Sequence, residues 1–105
     1  MPENTRMYQD QVKLQRVAKV MRTISHPVRL LIVELLLKNK CLPVKSIYEA
    51  IEISQSNASQ HLKLMEQVGI LLNRREGTMV YYEVASPGMT KLLKAAWQCA
   101  SSLRQ

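Results

Sequence analysis

The stretch S-Q-S-N-A-S-Q-H-L-K-L-M, Ser54 to Met65, opens with six small or amide polar residues among seven and then turns apolar. An ordinary solvated helix face uses Glu and Lys, which favour the helix, whereas Ser and Asn compete with the backbone for hydrogen bonds. The composition costs local stability and so requires a reason. Ser54 is a helix cap, and the helix is expected to run to about Gln67 with Gly69 as its C-terminal stop. Ala58, Leu62 and Met65 lie at i, i+4 and i+7, so one stripe packs inward. Gln55, Ser56, Asn57, Ser59, Gln60 and Lys63 are left outward, a dense set of short donors and acceptors on the N-terminal half of the helix.

Working outward, Ser25-His26-Pro27 marks another helix start, with Ser25 as the cap and proline suited to the first turn. Val28 to Leu37 reads V-R-L-L-I-V-E-L-L-L, apolar nearly all round as a buried central helix is, and Lys38 to Lys40 suit its C-terminal end. A short helix is expected from about Val44 to Ile51, burying Ile47, Tyr48, Ala50 and Ile51. Near the start, Val12, Val17, Val20 and Met21 recur at helical spacing between about Tyr8 and Arg22.

After Gly69 the period changes to two. Leu71 to Arg75 and Thr78 to Val84 flank Glu76-Gly77, a tight hairpin in which glycine supplies a positive φ. Val80, Tyr82 and Val84 share one face of the second strand. Ser86-Pro87 then opens a last helix whose stripe is Met89, Leu92, Leu93, Ala96, Ala100 and Leu103. The fold class that results is mainly α with a small β-hairpin: four helices, a two-stranded ribbon and a final helix.

The chain has 105 residues and 47% hydrophobic content, enough for one modest core, read as a single domain over 8–105 behind a tail at 1–7. A formal net charge of +7 points to a polyanionic partner. No run approaches the roughly 20 apolar residues that span a bilayer, and the first 25 residues do not make a secretory signal, so no membrane partner and a cytoplasmic location are expected. The two cysteines, Cys41 and Cys99, are too few for a disulfide framework and lack metal spacing.

Two helices joined by a short turn, the second amide-rich at its N-terminus, make a helix-turn-helix whose second helix fits the DNA major groove. Gln and Asn offer bidentate pairs to adenine, Ser serves either role, and Lys63 reaches phosphate or guanine. Arg74 and Arg75, just before the hairpin tip, are placed as a wing needs to touch phosphates or the minor groove. Each feature has a plainer reading: a solvated helix start for the polar residues, a charged device against edge pairing for the arginines. His61 is expected to hydrogen-bond within the fold, and His26 to form part of the helix entry. A second function, a winged-helix module that binds protein rather than DNA, stays open. An enzyme built on Cys41 with His26 or His61 lacks a Gly-rich loop, paired carboxylates or an oxyanion-hole motif, and none is expected.

The chain resembles the ArsR/SmtB group of winged-helix repressors. The resemblance rests on I-S-H-P-V-R-L-L-I-V-E-L-L at Ile24 to Leu36, on Ser54 to Met65, on V-G-I-L at Val68 to Leu71 and on R-R-E-G-T-M-V-Y-Y at Arg74 to Tyr82. It implies a homodimer joined through its first and last helices, seated on an imperfect palindromic operator in double-stranded DNA and released by an inducer that the sequence does not name. Val12, Val17 and Met21, with Met89, Leu92, Leu93, Ala96, Trp97 and Ala100, are the candidate dimer residues, packing within one subunit being the other reading. Many relatives bind metal through a C-x-C pair whose positions here hold Pro43 and Lys45. Others use Asp and His in the last helix, but Met89 to Gln105 contains no His, Asp or Glu. No metal and no cofactor are therefore expected. A further branch senses reactive sulfur or oxidants through one cysteine in the second helix and one in the last; Cys41 and Cys99 are the candidate redox pair, with Glu34 at the second-helix position.

Overall fold

Asp10 starts the first helix: its carboxylate accepts the Lys13 N–H at 2.9 Å, and α1 then runs over Gln11–Ile24. The computed structural model describes residues 9–104, so the expected start at Tyr8 and the tail lie outside the described residues. α1 outlasts the expected end at Arg22 and closes on Ser25, whose hydroxyl donates to the Met21 carbonyl at 2.6 Å. Ser25 therefore ends α1 and does not cap the next helix. That cap is His26, whose Nδ1 accepts the Val28 N–H at 3.1 Å ahead of α2, Pro27–Asn39.

α2 buries Ile32, Val33 and Leu36, yet Leu31 is 51% exposed, so the helix is central without being covered all round. Lys40, at φ +64°, breaks it. Cys41–Pro43 then forms β1, a strand the sequence reading lacked. α3 spans Val44–Ala50, with Ile47 fully buried and Ala50, contrary to expectation, exposed.

α4 covers Gln55–Val68 as its signals require. Ser54 Oγ accepts the Asn57 N–H at 3.1 Å, and Gly69, left-handed at φ +90°, donates back to the Glu66 carbonyl at 2.9 Å. Ala58, Leu62 and Met65 are wholly inside. β2 (Leu71–Glu76) and β3 (Met79–Val84) pair antiparallel about the two-residue turn Gly77-Thr78, one residue beyond the expected Glu76-Gly77 because Glu76 pairs with Met79, and Gly77 takes φ +63°. β1 joins the free side of β3 with Cys41 opposite Glu83, giving the order β1-β3-β2, three strands where two were expected.

α5 runs over Gly88–Ser102, its first amide held by the Ser86 hydroxyl at 3.2 Å. Met89, placed by its spacing among the dimer residues, lies instead in the subunit core, and Leu92 and Leu93 lean half-buried against that core. α5 packs on α2, and its residues 94–102 are exposed. Leu103 lies beyond the helix. The core thus sits between α2, α3, α4 and the inner face of the sheet, and it fixes the angle at which α4 presents its outer side.

Candidate nucleic-acid interface

The turn between α3 and α4 is closed by the Ile53 N–H on the Tyr48 carbonyl at 3.1 Å, with Glu52 at φ +57°. α3 and α4 pack on each other as a helix-turn-helix pair. At about 100° per residue, Ser56, Ser59, Gln60 and Lys63 form one stripe opposite the buried Ala58, Leu62 and Met65. Gln55 and Asn57 flank it. All six of these predicted residues are exposed. The Ser56 hydroxyl lies 3.4 Å from that of the capping Ser54.

The two wing arginines part company. Alternation along β2 puts Leu71, Asn73 and Arg75 on the inner side with Val80, Tyr82 and Val84, and Leu72, Arg74 and Glu76 on the outer side with Tyr81 and Glu83. Arg74 donates to Glu76 Oε2 at 2.7 Å, lies 5.2 Å from the centre of the Tyr81 ring and reaches to 3.9 Å from Cys41 Sγ. The hydrogen bond to Glu76, then that residue's charge, pushes the Arg74 pKa up. Arg75 has no ion-pair partner among the described residues.

One residue that the sequence reading missed joins the wing to α4. Glu66 accepts from the Tyr82 hydroxyl at 3.3 Å through Oε1 and from the Asn73 amide through Oε2. Tyr82 and Asn73 stand directly opposite each other on β3 and β2, so a single carboxylate holds both strands. Burial, then the Glu66 charge, raises the Tyr82 pKa. No local pattern marks Glu66, because its partners are set by strand register.

Both histidines are taken up by the fold. Arg29 Nε donates to His61 Nδ1 at 3.1 Å while its other arm donates to the Thr23 carbonyl at 2.8 Å, and the His26 and His61 rings meet at 4.7 Å. Desolvation first, then the neighbouring His26 and Arg29, lowers the His61 pKa. Cys41 is a half-buried free thiol on β1 and Cys99 an exposed one on α5. Among the described residues no three His, Cys, Asp or Glu side chains gather where they could hold a metal, and no helix is long and apolar enough to cross a membrane.

On the terminal helices Val12 is 83% exposed and Trp97 77%, with Val17, Met21, Ala96 and Ala100 also on the surface. A helix-turn-helix domain family matches residues 24–74. The transcriptional repressor PagR of Bacillus anthracis is 35% identical over 83 residues, which cover 79% of this chain and 83% of PagR. A homodimeric winged helix-turn-helix DNA-binding domain from Mycobacterium bovis, described as a possible ArsR-family regulator, superposes with a TM-score of 0.78 at 28% identity, over 89% of this chain and 85% of that one. The chain belongs to the ArsR/SmtB family.

Its likeness to other repressors is of the same order. The PagR crystal structure matches with a TM-score of 0.75 at 33% identity over 83% of this chain and 99% of that one. The repressor BigR of Xylella fastidiosa matches with 0.76 at 26% identity over 93% and 97%. As an ArsR/SmtB member the chain is a winged helix-turn-helix transcriptional regulator, and the family's machinery is regulatory rather than enzymatic.

Proposed function

We propose that this ArsR/SmtB chain is a cytoplasmic, sequence-specific DNA-binding repressor that acts as a homodimer on a palindromic operator. The observation that carries the reading is the outer stripe of α4, where uncharged hydrogen-bonding side chains stand exposed opposite a wholly buried apolar stripe. Phosphate binding alone would need only cations. Reading base edges needs donors and acceptors together on short side chains, and Gln55, Asn57 and Gln60 have the amides that pair with adenine. Lys63 adds a phosphate or guanine contact, Arg75 a phosphate or minor-groove contact, and Arg74, braced by Glu76, borders them on the outer side of the wing.

A two-fold dimer places two reading helices one turn of DNA apart, roughly 34 Å. The exposed Val12, Val17, Met21, Ala96, Trp97 and Ala100 are the surface through which it forms, Leu92 and Leu93 lying at its inner margin. The named relatives support both parts: PagR and BigR are repressors, and the Mycobacterium bovis domain is homodimeric.

Selection of bound sequences from random duplexes, followed by titration against the selected and a scrambled site, tests the proposal. Gln60→Ala should lose about 1–3 kcal/mol of discrimination at its base pair, whereas Arg75→Ala should weaken both duplexes alike. Equal affinity of the native chain for both duplexes at physiological salt would overturn it.

A further inference from the structure

A single guanidinium joins the reading helix to the two helices that open the chain. Arg29, near the start of α2, donates through Nε to Nδ1 of His61 at 3.1 Å and through its other arm to the Thr23 carbonyl, in the last turn of α1, at 2.8 Å. His61 follows Gln60 of the outer stripe on α4. The His26 ring lies 4.7 Å from that of His61 and accepts the Val28 N–H through its own Nδ1. Both imidazoles are therefore held with Nδ1 bare, beside a permanent cation. No carboxylate pairs with any of the three among the described residues. His26, from the turn before α2, and Arg29, from α2, are the groups whose charge bears on His61; among the described residues α1, α3 and β2, which also pack on α4, add no titratable group to them. On α4 itself Lys63 belongs to the outer stripe, and Glu66 is engaged by Tyr82 and Asn73.

We infer that the Arg29–His61 contact is a proton-operated latch: with His61 neutral it holds α4 at its docking angle, and protonation of His61 frees α4 and weakens operator binding. The inference rests on the proposed base reading and adds to it a positioning residue and a means of regulation. A neutral His61 that accepts at Nδ1 has its hydrogen on Nε2, so a further proton must enter at Nδ1. It removes the acceptor that Arg29 uses and leaves two like charges in contact. Burial, then His26 and Arg29, oppose that proton, so it enters below the ordinary 6.5. α1 carries part of the proposed dimer surface and α4 the reading stripe. The contact between them thus helps set the separation of the two reading helices, which a two-fold operator fixes at roughly 34 Å. The direction of the effect is diagnostic, because the negative field of DNA favours a charged imidazole and would by itself tighten binding in acid.

The test is a pH series at constant ionic strength, from about pH 8 to about pH 5.5, with the full chain on its selected operator and on a scrambled duplex. Native protein, His61→Gln and His26→Asn are compared, and circular dichroism follows helical content at each pH. Native operator affinity should be flat at the alkaline end and fall below about pH 6.5 with helical content retained. The fall should reach at most about tenfold per pH unit for each subunit, or about a hundredfold for the dimer. His61→Gln, whose amide oxygen can still accept from Arg29, should match the native chain near the alkaline end and stay flat. His26→Asn keeps a cap for α2 and removes one of the groups that oppose the proton, so its fall should begin at a higher pH. Native affinity that holds or rises on acidification, a fall that follows loss of helical content, an equal fall in His61→Gln, or an unmoved onset in His26→Asn each overturns this inference alone while the alkaline preference for the operator stands. Equal native affinity for both duplexes at the alkaline end overturns the base reading and this inference with it.

Discussion

Replacing Trp97 by alanine should separate the proposed dimer while leaving each chain folded. Trp97 is 77% exposed on α5 and takes no part in the subunit core. A tryptophan can bury roughly 150–250 Å², so about 115–190 Å² of it remains for a partner, equivalent to about 3–5 kcal/mol at 25 cal/mol per Å². Association returns only part of such a sum, and truncation of a well-buried interface tryptophan commonly costs about 2 kcal/mol or more. A two-fold interface contains the residue twice. The expected loss is therefore at least about 4 kcal/mol, a dimer dissociation constant raised about a thousandfold. Sedimentation equilibrium over a wide concentration range measures it. Because Trp97 is the chain's single tryptophan, its emission in the native protein gives a second readout and should shift to the blue as concentration rises. Equal dimer affinity of native and Trp97→Ala chains, or native emission that ignores concentration, would refute the placement of α5 in the interface.

Three further outcomes follow from the site. Leu62→Ala, at a wholly buried position on α4, should cost about 2–5 kcal/mol of unfolding free energy in urea and abolish operator binding at temperatures where the native chain is folded. The folded-state pKa of His61 is below its ordinary 6.5, so the unfolded chain takes the proton first. Its contribution to stability is complete above about pH 6.5 and is lost as pH falls through the folded-state value; the urea midpoint should drop on acidification, and less so for His61→Gln. At concentrations low enough to dissociate the proposed dimer, iodoacetamide should modify the exposed Cys99 before the half-buried Cys41, as mass mapping of a time course would show, and the reverse order there would contradict the placement of both thiols.

The segment from Ser54 to Gly69 was legible because three independent signals agreed there: a serine cap, an inward stripe and a glycine stop. The hairpin was legible through its period and through Gly77. β1 was not, because three residues ending in proline are too few to display alternation, and its existence depends on a free side of β3 that only the folded ribbon offers. The entry to α2 misled for a related reason: Ser25 and His26 are both able to accept a hydrogen bond, and geometry gave the role to the imidazole. Met89 obeys the same helical spacing as its neighbours, yet the packing of α5 on α2 draws the first turn into the core. Helical period says which residues share a face and not what covers it, so Leu31 and Trp97 look alike in the sequence as core or as contact. Strand alternation did contain the divergence of Arg74 from Arg75, but their adjacency made them read as a pair.

The Glu66 clamp has a consequence for evolution of the binding site. Since one carboxylate ties both strands of the ribbon to the far half of α4, the gap between probe and outrigger is set within the free chain, which lowers the ordering cost of docking. Lengthening the loop at Gly77 would then extend reach along the duplex without disturbing what α4 reads, so the footprint and the recognised bases can vary separately from one descendant to the next.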